Sequence, residues 1–164
     1  LAAECAEAGL DVETTLAAVR AQVPLTRTYA ILSDLRYAAR GGRLPRWVKS
    51  VAEFLRLNPI ICTTTDGRVS LGGFMIGTHN RIERFARYVA RRAPKGRVEI
   101  GIGHAICEDD AQQLADDLRR RLPEISKLVV TGLGTAIGVH GGPHTLLVSM
   151  RPFTSAQDVA DSIN

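Results

Sequence analysis

Cysteine is scarce in this chain: Cys5, Cys62 and Cys107 are far apart and odd in number, and no CxxC pair occurs. That spacing excludes a disulfide framework and a cysteine-based structural zinc site. Three reduced thiols fit a cytoplasmic protein. Aromatic residues make up only 5% of the chain. With no RNP-type string and no zinc-finger spacing, nucleic acid is not expected as a partner. No apolar run reaches the roughly 18–20 residues that a spanning helix needs, so no membrane span is expected. P-loop, G-x-S-x-G and H-E-x-x-H strings are missing, and no nucleophile–base pair can be named.

What is present looks globular. The 164 residues are 45% hydrophobic and 23% charged, enough for one ordinary core. The chain starts at Leu1, with no initiator Met and no leader, and reads as a piece of something longer. Its net charge of +4 comes almost entirely from arginine, with 18 Arg to 3 Lys. Guanidinium forks suit carboxylates and phosphates, so an anionic ligand or acidic partner is considered beside an ordinary solvated surface.

Periodicity predicts two leading helices, Leu1–Ala8 and Val12–Val23, the second with Val12, Leu16, Val19 and Val23 on one face. A strand over Thr26–Leu32 follows, then a short helix Asp34–Arg40 with Ser33 as N-cap, stopped by Gly41-Gly42. Trp47, Val48, Val51, Phe54 and Leu55 fit a helix that Asn58-Pro59 closes. Ile60–Thr65 and Arg68–Leu71 around Asp66-Gly67 form a hairpin signal, with Gly72–Gly77 irregular or a third short strand. Helices are expected at Asn80–Arg92 and Glu108–Arg121, and strands at Arg97–Gly103, Glu124–Thr131 and Thr145–Met150. A closing helix is expected over Ser155–Ile163. In the first of these helices Arg81, Arg84, Arg87 and Arg91 are expected to face outward. The β–α–β–α order with an internal hairpin predicts a two-layer α/β domain with a mixed sheet.

Two familiar signals fail on inspection. Gly132-Leu133-Gly134 follows a strand but lacks the third glycine, the full helix and the later acidic residue of a dinucleotide site. His140 and His144 have metal-ligand spacing, yet Gly141-Gly142-Pro143 between them forbids a shared helix face. No metal site is expected. Two glycine turns remain, and each also reads as an ordinary turn. Arg40-Gly41-Gly42-Arg43 sets arginines beside approachable backbone, and His140-Gly141-Gly142-Pro143 sets an imidazole beside an exposed backbone. If the fold joins them, Arg43 and His140 are the candidates to hold a carboxylate or phosphate.

At these turns the sequence resembles the DegV family of bacterial fatty-acid-binding proteins. Tyr29-Ala30-Ile31-Leu32-Ser33-Asp34-Leu35-Arg36-Tyr37-Ala38-Ala39-Arg40-Gly41-Gly42-Arg43-Leu44 is similar to the family's D-(T/S)-L-x-Y-L-x-x-G-G-R-I segment. Leu57-Asn58-Pro59-Ile60-Ile61 is similar to its L-N-I-K-P-I-L run, which also precedes an Asp-Gly turn. Gly138-Val139-His140-Gly141-Gly142-Pro143 is similar to its G-x-H-T-G-P-G signature, with Gly141 in place of Thr and His144 in place of the last Gly.

The resemblance implies a protein of two α/β domains with a long-chain fatty acid between them. The tail would lie mainly in the N-terminal domain, and the carboxylate near the interdomain cleft. There a fatty-acid kinase phosphorylates it in bacteria that have one. Residues 25–164 would be the C-terminal DegV-like domain, and residues 1–24 leading helices from a missing N-terminal domain or linker. The ligand-binding residues implied are Arg43 and His140, with the Gly42 and Gly141 turns beside them. Arg81 and Arg84 are guesses for kinase docking, because the family's usual basic stretch is replaced here. No cofactor and no metal are implied, and the reading is a lipid carrier, not an enzyme. The alternatives are a dihydroxyacetone-kinase-like phosphotransfer subunit and an interaction domain without a ligand.

Overall fold

The computed structural model describes residues 1–42, 57–77 and 79–161. Arg43 and the helix expected around Trp47–Leu55 lie outside the described residues. Within them, six strands form one mixed sheet in the order β3-β2-β1-β6-β4-β5. These are β1 (Arg27–Ile31), β2 (Leu57–Thr63), β3 (Val69–Ile76), β4 (Val98–His104), β5 (Ile125–Gly132) and β6 (Leu146–Pro152). β4 and β5 run parallel, and every other pairing is antiparallel. Parallel neighbours need a crossover, supplied here by the helix α5 (Glu108–Arg121).

Two helices cover one face of the sheet. α4 (Arg81–Ala90) buries Ile82, Phe85, Ala86 and Val89, and α5 buries Ala111, Leu114, Ala115 and Leu118. These are the apolar positions of each helical period. They pack on the inward residues of the strands, among them Ile31, Ile60, Val98, Ile100, Leu146 and Val148. Each such side chain contributes roughly 1.5–3 kcal/mol by leaving water. α5 also opens on Glu108, Asp109 and Asp110 and closes on Arg119–Arg121, matching its dipole at both ends.

Because strand side chains alternate, Thr28, Ala30, Leu147 and Ser149 point to the opposite face. One end of that face is covered by two short helices, α3 (Leu35–Arg40) and α6 (Thr135–Gly141), which touch each other. Leu32, Leu35 and Ala38 form a small second core there with Ile61. Val69, Leu71, Phe74 and Ile76 of edge strand β3 are all exposed. The leading helices α1 (Ala2–Glu7) and α2 (Val12–Gln22), a 3-10 turn over Val23–Leu25 and the last helix α7 (Ala156–Asp161) complete the described elements. α1 is tied to β5 by a Glu4–Lys127 ion pair of 2.8 Å, and Gln22 of α2 donates to Thr154 at 2.7 Å.

Several local expectations change. Asp34, not Ser33, caps α3, its carboxylate accepting from Arg36 N–H at 2.8 Å. The Ser33 hydroxyl instead donates to the His144 carbonyl at 3.1 Å, a longer-range bond that sequence spacing cannot reveal. Asn58-Pro59 lies inside β2, not at a helix end. Pro59 pairs only with Phe74 of β3, beyond the stretch matched to β1, so its missing N–H leaves no ladder bond unmade.

Gly72–Gly77 is mostly a continuation of β3 rather than irregular, because a register shift absorbs the Gly72-Gly73 pair. That bulge moves the outward row from odd to even numbers, keeping Val69, Leu71, Phe74 and Ile76 on one face. Tyr88 of α4 seals it, donating its hydroxyl to the Gly72 carbonyl at 2.7 Å. A Cβ at Gly72 would meet that hydroxyl at 2.8 Å. The apolar stripe of α2 is exposed rather than packed: Val12 is 81% and Val23 62% accessible. No helix among the described residues is long and apolar enough to cross a membrane.

Candidate functional site

The two glycine turns do meet. α3 ends at Gly41 and Gly42, and α6 ends at Gly142, whose φ of +76° suits a residue without a side chain. Contrary to the sequence expectation, His140 and Gly141 belong to a helix, because the breakers Gly142-Pro143 fall just after its last turn. Small residues let the two helix ends come together. A Cβ at Gly41 would sit 2.1 Å from His140 Nδ1, and one at Gly142 would sit 2.4 Å from the Tyr37 ring. The imidazole therefore packs against the end of α3 with its Nδ1 edge nearest Gly41.

The turn at Gly141 is not the exposed backbone that the sequence suggested. Gly141 and Gly142 are both buried, and a Cβ at Gly141 would stand 2.8 Å from Thr145 Oγ1. Gly42 is exposed, with φ +70° and open space where a Cβ would be. Arg43, next in the chain, is outside the described residues.

Beside this junction the open face of the sheet holds a cavity of about 270 Å³. Ala30, Leu32, Ile61, Val69, Ile137 and Leu147 make its walls apolar. His140 and Thr145 also line it. Both carry a buried polar atom with no hydrogen-bond partner among the described residues, Nδ1 of His140 and Oγ1 of Thr145. Such atoms are uncommon in folded proteins, and each costs about 1–3 kcal/mol while it stays unmet. The two residues that carry them line one apolar cavity. Among the described residues no carboxylate lines this cavity. Thr145 was missed from the sequence, where it reads only as the start of β6.

The two arginines expected for docking are already engaged. Arg81, only 21% exposed, is not an outward charge. It donates to Asp110 at 2.8 Å, to the Ser33 hydroxyl, and to the His144 carbonyl at 3.3 Å. Arg84 donates to the Ile76 carbonyl at 2.6 Å. His79 is exposed, and His104, half-buried at the end of β4, accepts from Cys107 N–H at 3.4 Å. The Cys107 thiol is pushed above its ordinary range, first by burial and then by the nearby Asp110 carboxylate. It stays protonated at neutral pH and donates to the Thr145 carbonyl at 3.6 Å.

Comparison with known proteins points to one family. The family model described as an uncharacterised protein, DegV family, matches residues 1–152. A DegV domain-containing protein of Streptomyces coelicolor is 33% identical over 152 residues, covering 92% of this chain and 54% of that protein. The solved structure of a fatty-acid-binding DegV family protein from Thermus thermophilus superposes with a TM-score of 0.79 at 22% identity. It covers 93% of this chain and 54% of the other. The Streptococcus pneumoniae fatty acid kinase B3 protein, solved with linoleic acid, matches with a TM-score of 0.76 at 17% identity. It covers 88% of this chain and 51% of the other. The chain spans about half the length of the curated relatives it matches. Because that family model matches residues 1–152, nearly the whole of the chain, the chain belongs to the DegV family.

Proposed function

We propose that this chain forms the head-group side of a fatty-acid carrier. A long-chain carboxylate accepts hydrogen bonds from Thr145 Oγ–H and His140 Nδ1–H, and its first methylenes occupy the apolar cavity beneath them. The observation that carries this reading is the pair of buried, unpartnered polar atoms on one apolar cavity. A carboxylate satisfies both at once, and such charge-assisted bonds are the stronger kind. Each methylene leaving water adds roughly 0.8 kcal/mol.

Arg43 joins as the counter-charge that a desolvated carboxylate requires, on the strength of its place in the family motif. Gly42, exposed beside it, leaves the backbone approachable. The exposed apolar row Val69, Leu71, Phe74 and Ile76 is read as the seat of a companion domain that completes the acyl tunnel. On this reading residues 1–24 lead in from that domain and residues 25–164 form the described one. A fatty-acid kinase is the proposed partner, phosphorylating the presented carboxylate. Arg81 and Arg84 then act by holding the cleft's rim rather than by offering free charge.

One observation weighs against the phosphotransfer alternative: no acidic side chain among the described residues lines the cavity beside His140. The apolar cavity likewise speaks against a domain with no ligand. The test is mass spectrometry of the full-length protein purified without added lipid. The expected result is co-purified fatty acid near one equivalent. Protein that is empty and takes up neither oleate nor palmitate overturns the proposal.

A further inference from the structure

A second cluster lies at the C-terminal end of β4, on the other side of Thr145 from the fatty-acid site. Cys107, Asp110 and His144 come from three different places: the loop after β4, the first turn of α5, and the loop before β6. Their potential ligand atoms all lie within 4.8 Å of one another. Sequence spacing had paired His144 with His140 and dismissed the pair as metal ligands. The fold turns His144 to a different set of partners.

Three further features suggest that this is a built arrangement. First, two residues with side chains, Ile106 and His144, hold left-handed φ values of +55° and +59° on either side of the cluster. A β-branched residue rarely adopts that conformation, and Ile106 does so while 86% exposed, with no burial to offset the strain. Second, the strained loops are pinned to each other. His144 N–H donates to the Ala105 carbonyl at 2.8 Å, and Ala105 N–H to the Thr145 carbonyl at 3.0 Å. Third, the carboxylate is oriented from outside the cluster. Arg81 takes Oδ2 of Asp110 and leaves Oδ1 for another partner, as outer partners do for metal-bound carboxylates. The same guanidinium and Ser33 also hold the His144 carbonyl, fixing the loop that carries the imidazole.

We propose that Cys107, Asp110 and His144 form a binding site for a borderline-soft divalent cation of the zinc class. One thiolate, one imidazole and one carboxylate are ligand types that such an ion accepts together, and three protein ligands leave its fourth position open. Binding takes one proton from the Cys107 thiol to water as the sulfur–metal bond forms. The two anionic ligands then balance the ion's charge, with Arg81 remaining on the outer carboxylate oxygen. The site is separate from the fatty-acid site but shares the His144–Thr145 segment with it, so a bound ion would stiffen the strand start that carries the Thr145 hydroxyl.

The test uses the full-length protein, with zinc and cobalt(II) as probes. Equilibrium dialysis against zinc is expected to give one equivalent more in wild type than in Cys107→Ser. His144→Ala is expected to weaken that equivalent by more than about 100-fold, past the 10- to 100-fold typical of losing an outer partner. Cobalt(II) is expected to give a thiolate-to-metal charge-transfer band that Cys107→Ser abolishes. Circular dichroism of each variant at the same temperature confirms that it is folded, and Asp110→Asn serves as a ligand variant that leaves Cys107 in place. The proposal is overturned if wild type shows no charge-transfer band. It is equally overturned if the zinc equivalent survives in folded Cys107→Ser and His144→Ala. Fatty-acid occupancy, read separately by mass spectrometry, keeps failure of this site distinct from failure of the carrier reading.

Discussion

Substitution of Gly41 by alanine probes the contact on which the site geometry depends. Gly41 has φ −76°, a conformation alanine accepts freely, so the backbone raises no objection. By itself the change would favour the folded state by about 0.4–1 kcal/mol through the unfolded chain. The new methyl, however, would stand 2.1 Å from His140 Nδ1 and 2.8 Å from Cε1, where ordinary contact begins near 3.4 Å. The ring must move by more than an ångström. Overpacking of this kind costs about 1–3 kcal/mol, so a net loss of roughly 1–2 kcal/mol is expected. For a domain of this size that lowers the melting temperature by about 2–8 °C.

The same substitution in a His140→Ala background meets no ring and should be neutral or mildly stabilising. The cycle therefore carries a coupling energy of about 1–3 kcal/mol. Gly42→Ala supplies the control. Its φ of +70° makes alanine unfavourable by about 1–2 kcal/mol, but nothing lies within 4 Å of the new methyl. It should cost the same in both backgrounds. The assay is thermal unfolding of the five variants plus wild type, followed by circular dichroism. If Gly41→Ala stabilises equally with and without His140, the imidazole does not lie against α3 and the reasoning fails.

Three more outcomes follow from particular groups. Thr145→Val removes a buried hydroxyl that has no partner, so urea unfolding of ligand-free protein should show a gain of about 1 kcal/mol, while oleate affinity falls; lower stability would show the hydroxyl is already satisfied. Tyr88→Phe keeps the ring over the β3 bulge but loses the 2.7 Å bond to Gly72. It should cost about 0.5–1.5 kcal/mol in the same assay, and an unchanged midpoint would remove that bond from the account. The alkaline limb reports on three neutral groups that folding favours. Burial pushes Cys107 up from 9.0, with Asp110 adding to it, and pushes Tyr29 and Tyr88 up from 10.0. Their contribution is whole below about pH 9 and is lost as pH rises through the folded values. The urea midpoint should therefore fall from pH 9 upward, with a shallower fall in Cys107→Ala; a midpoint that holds or rises would contradict the burial.

The sequence was most legible where one local signal decided the outcome. α5 matches its expected span of Glu108–Arg121, because acidic and basic ends flank an unbroken apolar stripe. The Asp66-Gly67 hairpin was readable for the same reason. Ser33 misled because its hydroxyl is drawn to the His144 carbonyl, 111 residues away, leaving Asp34 to cap α3. The Gly72-Gly73 bulge was hidden because its consequence, one exposed row on β3, needs the register with β2 to be seen. At the site, composition singled out the two glycine turns, but that they meet had to be read from the fold. The hydroxyl of Thr145 and the new company of His144 could not be anticipated, since both depend on β6 lying between β1 and β4.

The central claim is that His140 and Thr145 hold a fatty-acid carboxylate together. Oleate affinity of the full-length protein, measured for wild type, His140→Ala, Thr145→Val and the double variant, tests it most directly. Each single change should weaken binding by roughly 10-fold, about 1.4 kcal/mol, within the range for a hydrogen bond to a charged group. The double variant should lose less than the product of the two, because they share one carboxylate. Affinity unchanged in both folded single variants would contradict the account.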